Sequence, residues 1–196
     1  MDLTDLHWAA LRGDASAIKS RLNAEADVNV RDQEGVTLLH MSIIGGHAGA
    51  ANALIEAGAD VQQADSAGMT SLHYASAFNR SGIARVLLAK GAQVNLKDKY
   101  GNTPMLLASI GESPELAALL LKNGANLNGV DSFGSTPLSL SAESNSVQIL
   151  EFLLKAGARS VQKLDRAREA CCALPEWRIK SISLDHATLT ARSPLA

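Results

Sequence analysis

Aromatic residues and cysteines are scarce in this chain of 196 residues, which has 4% aromatics and 2 cysteines. The cysteines, Cys171 and Cys172, are adjacent, so they supply neither a disulfide framework nor a CxxC metal or redox motif. Positive charge is not in excess, because 18 Lys and Arg stand against 20 Asp and Glu. This balance removes the attraction on which most nucleic-acid binding depends. No apolar run approaches the ~20 residues that a membrane span needs.

The N-terminal residues, from Met1 to Asp5, are polar and acidic, which is not the pattern of a secretory signal. We therefore expect a reducing compartment, most simply the cytoplasm. Apolar residues make up 46% of the chain, and a domain of this size buries roughly 70% of its unfolded surface. The length predicts one domain or one continuous array.

A motif that begins with threonine recurs every 33 residues. The threonines are Thr4, Thr37, Thr70, Thr103 and Thr136. An Asp-x-x-Gly turn precedes four of them, as in 98–101, and a Gly-Ala pair follows later in the unit, as in Gly91-Ala92. Five units fit without insertion or deletion, at about 1–31, 32–64, 65–97, 98–130 and 131–163.

Each unit predicts two helices joined by a turn and followed by an extended hairpin. The threonine can cap the first helix, and Pro104 and Pro137 follow it at the first helical position. One position of this helix is always small: Ala9, Ser42, Ala75, Ala108 and Ser141. The second helix is expected to bury Leu54-Ile55, Leu87-Leu88, Leu120-Leu121 and Leu153-Leu154. Because no unit can bury its apolar face alone, the units must stack.

The period and motif together resemble the ankyrin-repeat family over about 163 of the 196 residues. The resemblance implies an all-α repeat fold, an ankyrin-repeat solenoid of stacked helix-turn-helix units with hairpin loops. We expect five repeats plus a C-terminal capping segment. It also implies a protein-binding surface on a concave side, formed by the hairpin fingers and the outer face of each first helix.

Residues 164–196 fall out of phase with the repeat. Leu164, Ala167, Ala170 or Cys171, and Leu174 recur at helical spacing before Pro175. We expect a capping helix that covers the fifth unit, followed by an irregular tail. The alternatives are a short docking motif for another protein and a mobile chain end.

No catalytic constellation is apparent, so we expect no enzymatic activity, no metal and no cofactor. Three histidines share one repeat position: His7, His40 and His73. Neighbouring helices lie about 8–10 Å apart, too far for these rings to share a metal at roughly 2.0–2.1 Å. We expect each ring to tie its helix start to the preceding threonine or the adjacent loop. The alternative is an enzyme in the tail, with Cys171 or Cys172 as nucleophile and His186 as base.

The positions that the fold leaves open are unusually apolar on the presumed concave side. The first helices contribute Leu11, Ile44, Phe78 and Ile110, with Arg12 beside the first of them. The fingers contribute Val36, Met69, Lys99, Tyr100 and Phe133. Apolar and aromatic anchors with a polar rim are typical of binding hot spots, so we predict that these residues bind the partner.

Two other interpretations of this surface remain open. In the first, some of its side chains pack between repeats, above all Leu11 and Ile44. In the second, the groove is covered by the tail through Trp177 and Ile179, or by self-association. Rim charges of both signs are expected to tune orientation and association rate more than affinity. They are Arg12, Arg31, Glu34, Arg80, Lys97, Lys99, Glu143 and Lys163.

The sequence therefore predicts a non-enzymatic module that binds a folded protein partner through the concave groove and the fingers. It would act as a stoichiometric inhibitor, an adaptor or an assembly chaperone, and would be a monomer on its own. We expect it to bind neither nucleic acid nor membrane. A toxin-neutralising immunity protein and a self-associating structural module are the alternatives.

Overall fold

A computed structural model describes residues 3–22, 27–111 and 113–159. In this part of the chain there are ten α-helices. They are α1 (Leu3–Arg12), α2 (Ala15–Leu22), α3 (Leu38–Ile44), α4 (Ala48–Glu56), α5 (Ser71–Ala77), α6 (Ser81–Ala89), α7 (Pro104–Ala108), α8 (Pro114–Lys122), α9 (Pro137–Glu143) and α10 (Val147–Lys155). The described residues form no β-strand, only isolated antiparallel bridges between Arg31 and Thr37 and between Ala64 and Thr70. The all-α repeat class is confirmed.

The helices pack in two rows. Each odd-numbered helix contacts the next odd-numbered one, from α1 to α9, and the even-numbered helices contact one another in the same way. The two helices of each consecutive pair also contact each other. Each pair therefore packs against its neighbours along the array, as stacked repeats do. Among the described residues no helix has the length and apolar character needed to cross a membrane.

The helix starts are capped as the sequence predicts. The hydroxyl oxygens of Thr37, Thr103 and Thr136 accept hydrogen bonds from backbone N–H groups three residues later, at 3.2, 3.4 and 3.1 Å. The turn after the odd-numbered helices needs a left-handed residue, with φ of 76° at Gly46 and 55° at Asn79. Asparagine tolerates this conformation better than most residues do, which explains its substitution for glycine in the third unit.

The core runs along the interface between the two rows. Fully buried leucines recur at one position of the even-numbered helices: Leu54, Leu87, Leu120 and Leu153. The small residues predicted for the odd-numbered helices are buried from Ser42 onward. At the second position of these pairs Ile55 is buried, Leu88 and Leu121 are half-buried and Leu154 is exposed, so the expectation of burial is wrong for Leu154. Leu154 lies on α10, which within the described part contacts even-numbered neighbours on one side only, at α8.

The turns between units are closed by their aspartates. In the turn of 98–102, Asp98 Oδ1 accepts hydrogen bonds from the N–H groups of Tyr100 and Asn102, both at 2.8 Å. The turns that begin at Asp32, Asp65 and Asp131 repeat this pattern. Main-chain hydrogen bonds then join consecutive turns: Ser66 N–H to Glu34 O, Lys99 N–H to Ala67 O and Ser132 N–H to Tyr100 O, at 2.8 to 2.9 Å. The turns therefore form one hydrogen-bonded row.

A second set of hydrogen bonds, which the repeat motif does not predict, joins the units behind the turns. Side-chain amide oxygens accept from backbone N–H groups 31 residues later, at 2.8 to 3.2 Å. The accepting residues are Asn29, Gln62, Asn95 and Asn128. The recurrence of amide side chains at one repeat position is the signal that could have revealed it.

The predicted capping segment cannot be placed, since residues 164–196 lie outside the described residues. The same holds for Cys171, Cys172, His186, Trp177 and Ile179 and for the boundary at 163. Five repeats with a C-terminal cap therefore stay a prediction.

Candidate protein-binding surface

The residues predicted to bind a partner lie on two repeated features of the array. Leu11, Arg12 and Ile44 end the odd-numbered helices α1 and α3, while Phe78 caps α5 and Ile110 follows α7. The other five lie in the turns: Val36, Met69, Lys99, Tyr100 and Phe133. We call these ten residues the finger face. Consecutive units contribute to it side by side, because their odd-numbered helices and their turns contact one another.

The apolar residues of the finger face are more exposed in its C-terminal half than in its N-terminal half. Those in the N-terminal half, namely Leu11, Val36, Ile44, Met69 and Phe78, are half-buried. Ile44, Met69 and Phe78 pack against the core, which agrees for Ile44 with the alternative of packing between repeats. By contrast, the exposed fractions are 36% for Tyr100, 42% for Ile110 and 44% for Phe133.

Ile44 and Ile110 occupy the same repeat position but differ in exposure. The difference is explained by the residue that lies 36 positions after each of them, Arg80 or Ser146. Arg80 lies over the end of α3 and donates to the carbonyls of Ile43 and Ile44 at 3.3 and 3.2 Å. It is so close that a Cβ on Gly46 would lie 2.7 Å from Arg80 Cζ. The equivalent contact to Ile110 comes from Ser146, whose short hydroxyl donates to its carbonyl at 3.2 Å. A serine covers far less of the turn than an arginine does.

Several of the predicted rim charges link units instead of facing solvent alone. The Arg31 guanidinium donates to the Ala64 carbonyl, and the Lys97 ammonium donates to the Val130 carbonyl at 2.9 Å. Both bonds reach the next turn of the row. Arg12, by contrast, lies over the Trp8 ring of its own helix, 5.6 Å from the centroid. The expectation that these cations act as rim charges therefore applies better to Arg12 and Lys99 than to Arg31, Arg80 and Lys97, whose side chains donate to carbonyls of a neighbouring unit.

The repeated histidines hold helix starts and loops together, as predicted. His40 Nδ1 accepts from the Thr37 N–H at 3.2 Å, and His40 Nε2 donates to Gln63 O at 3.1 Å. His73 Nδ1 accepts from the Thr70 N–H at 3.1 Å, and its Nε2 contacts carbonyl oxygens of the following turn. These tautomers follow from the hydrogen-bond network. Burial lowers the pKa of His40 to about 4 and also lowers the pKa of His73, so both rings are neutral near pH 7.

His40 belongs to a polar cluster with Tyr74, which is buried, and Asp65, which is half-buried. The His40 and Tyr74 ring centroids are 4.9 Å apart, and the Tyr74 hydroxyl donates to Asp65 Oδ2 at 2.6 Å. Burial, with the hydrogen bond to Asp65, raises the pKa of Tyr74 well above its ordinary value. Both nitrogens of His40 are engaged with the backbone and its side chain is fully buried. A general base must reach its substrate, so this cluster serves the fold.

Within the described residues no group of three or more His, Cys, Asp and Glu side chains could hold a metal ion. The thiol pair that would be a nucleophile in the alternative interpretation lies outside those residues.

Comparison with known families identifies the fold. The family model for ankyrin repeats (3 copies) matches residues 6–98 and 93–163, which is more than half of the 196 residues. The chain belongs to the ankyrin-repeat family. Ankyrin repeats are generally protein–protein interaction modules, and proteins built from them are typically non-enzymatic. A comparison with curated proteins found no match.

Proposed function

We propose that this protein binds one folded protein partner through its finger face and acts without catalysis, as a stoichiometric inhibitor, an adaptor or an assembly chaperone. The observation that carries the proposal is the exposure of Tyr100, Ile110 and Phe133 on the row of turns and helix ends. The chain has only 4% aromatic residues, yet two of them stand exposed on consecutive turns. Aromatic and aliphatic anchors of this kind dominate the energetics of protein interfaces.

The hydrogen-bonded row of turns supports the same proposal. Main-chain bonds between consecutive turns and buried aspartates within them hold the finger face in one arrangement. A pre-ordered surface loses less conformational entropy when it binds. We further propose a cytoplasmic monomer that binds neither nucleic acid nor membrane, in keeping with its formal net charge of −2 and with the electrostatic demands of nucleic-acid binding.

The test compares capture of proteins from native lysate by three baits. One is the wild type, and another is the double variant Ile110→Asp/Phe133→Asp, whose charges fall on exposed side chains. The third is the matched control Val147→Asp/Leu154→Asp, which alters two apolar residues of α10 that are 53% and 55% exposed. We expect proteins that the wild type and the control retain and that the finger-face variant loses.

A captured protein is then purified and titrated with each bait by calorimetry. We expect one-to-one binding that weakens at least about 30-fold in the finger-face variant, which corresponds to about 2 kcal/mol, or about 1 kcal/mol for each of the two residues. Circular dichroism checks that all baits melt alike. Equal affinities of the three baits, or loss of binding in the α10 control alone, would contradict the finger-face proposal. Light scattering over a concentration series tests self-association, which concentration-dependent dimers would support instead.

A further inference from the structure

The exposed part of the finger face is concentrated in the fourth and fifth units. Lys99, Tyr100, Ile110 and Phe133 are all exposed, and we call them the C-terminal cluster. The apolar finger-face residues of the first three units are half-buried. Since binding energy comes from apolar area that leaves water, the main contact falls on the C-terminal cluster.

The backbone around the two aromatic rings is well ordered by hydrogen bonds. Tyr100 and Phe133 occupy the same position of consecutive turns, and the Ser132 N–H donates to Tyr100 O at 2.9 Å. Each turn is closed by a buried carboxylate, Asp98 or Asp131, which accepts from the N–H of the aromatic residue at 2.8 Å. The two rings are therefore presented side by side on adjoining turns, at a small entropy cost on binding.

The charged member of the C-terminal cluster is Lys99, which is positive, while the exposed acid Glu143 lies in the next unit at the repeat position of Ile110. Lys99 is exposed, and it is the charged member of a repeat position that otherwise holds Gln33, Ser66 and Ser132. The carboxylates of its turn and of the next one are buried and accept backbone N–H groups. Among the described residues, the ion pair found joins Lys155 and Glu151. The Lys99 ammonium therefore has no carboxylate of a described residue within 4.0 Å.

The position of Tyr100 shows the same change of character along the row. The equivalent residues are Glu34 and Ala67 in the preceding turns and Phe133 in the following one. The acidic side chain lies two units away from Lys99, at the other end of the row. Among the described turns, a partner that contacts this row meets exposed aromatic rings only at the C-terminal cluster, where Lys99 supplies positive charge beside them, whereas the exposed Arg31 lies next to the turn that carries Glu34.

We propose that the C-terminal cluster binds a surface loop of a partner protein in which a carboxylate stands beside an aromatic or branched aliphatic side chain. The carboxylate pairs with the Lys99 ammonium, and the apolar side chain packs on the Tyr100 and Phe133 rings, with Ile110 adding apolar area from the same unit as Tyr100. This inference rests on the proposed function, because it names the chemistry of the partner. Opposite charge across the contact gives specificity, and the rings give affinity.

The probe for this proposal is a phage-displayed library of random disulfide-closed loop peptides. Selections run in parallel on the wild type, on Lys99→Glu, on Tyr100→Ser/Phe133→Ser and on the control Lys19→Glu, which reverses an exposed charge on α2. We expect the wild type and the control to enrich loops with Asp or Glu beside an apolar residue. Lys99→Glu should instead enrich Lys or Arg there, and should bind the wild-type loops about tenfold more weakly. Tyr100→Ser/Phe133→Ser should enrich neither.

Loops without a preference for acidic residues, or acidic loops that bind Lys99→Glu as tightly as the wild type, would overturn the assignment of partner chemistry. Acidic loops that bind equally well without the two rings would overturn the assignment of the site. Neither result touches the proposed function, which is decided separately by the purified partner and the Ile110→Asp/Phe133→Asp variant. If that variant binds its partner normally while the library behaves as expected, the proposed function fails and the peptide site stands by itself.

Discussion

The buried His40 makes the stability of this protein depend on pH in a calculable way. Its pKa falls from 6.5 to about 4 in the folded chain, chiefly because burial disfavours the imidazolium. A base whose folded pKa is depressed stabilises the fold fully above its unfolded pKa, since the neutral ring is the form that the folded site accepts. That stability is lost as the pH falls from about 6.5 towards about 4.

The size of the loss follows from the two pKa values. At about 1.36 kcal/mol for each pH unit, the loss between about pH 7 and about pH 5 is about 2 kcal/mol, and it reaches about 3 kcal/mol below about pH 4. Nearby charges act in both directions, because Asp65 and Asp32 raise the pKa while Arg31 lowers it, and burial outweighs them. Burial also lowers the pKa of His73, so His73 adds to the loss of stability at low pH.

Urea unfolding followed by circular dichroism measures this loss. The free energy of unfolding is compared near pH 7 and near pH 5 for the wild type, for His40→Gln and for the control Leu54→Ala. His40→Gln should be less stable near pH 7 but should lose about 2 kcal/mol less than the wild type on acidification. Leu54→Ala removes a fully buried side chain without removing an imidazole, so it should keep the wild-type pH dependence. The reasoning is refuted if His40→Gln keeps the wild-type dependence as well.

Two further predictions concern stability alone and the link between stability and binding. Leu120→Ala should lower the free energy of unfolding by about 2–5 kcal/mol, because Leu120 is fully buried. Leu154→Ala should lower it by less than about 1 kcal/mol, because Leu154 is 55% exposed. Equal losses for the two variants in urea unfolding would be inconsistent with the packing. Asp98→Ala removes the acceptor of the Tyr100 and Asn102 N–H groups, so it should cost about 2–4 kcal/mol and should also weaken binding of a purified partner. Wild-type affinity in that variant would show that the turn need not be ordered.

The repeated part of the fold was readable from the sequence because it rests on local chemistry. A threonine cap, a proline at the first helical position and an Asp-x-x-Gly turn each satisfy backbone groups within a few residues. The histidines were also placed correctly, since each joins its own helix start to a neighbouring loop. The amide acceptors at Asn29 and its equivalents were missed because their partners lie 31 residues away. Residues 31 positions apart come into contact only because the units stack.

The candidate site could be predicted only in outline. Repeat positions correctly identify which helix end or turn a residue occupies, but exposure depends on what the next unit contributes. Ile44 and Ile110 are identical residues at one position, and they differ in exposure because Arg80 covers one turn and Ser146 the other. Similarly, Leu154 was expected to be buried by analogy with Ile55, yet it is exposed. Exposure therefore differs between equivalent positions, and periodicity does not encode what the neighbouring unit contributes.

The turns also explain how one array can keep its fold while its surface varies. Two residues after each turn aspartate, a backbone N–H donates to the carboxylate, at 3.0 Å for Glu34 and at 2.8 Å for Ala67, Tyr100 and Phe133. That hydrogen bond uses the main chain, so it places no demand on which side chain stands there. An acid, a methyl group and two aromatic rings therefore occupy one geometry. Stability comes from the aspartates, threonines and buried leucines that repeat, whereas specificity comes from the positions between them. At those positions the exposed aromatic rings lie in the fourth and fifth units.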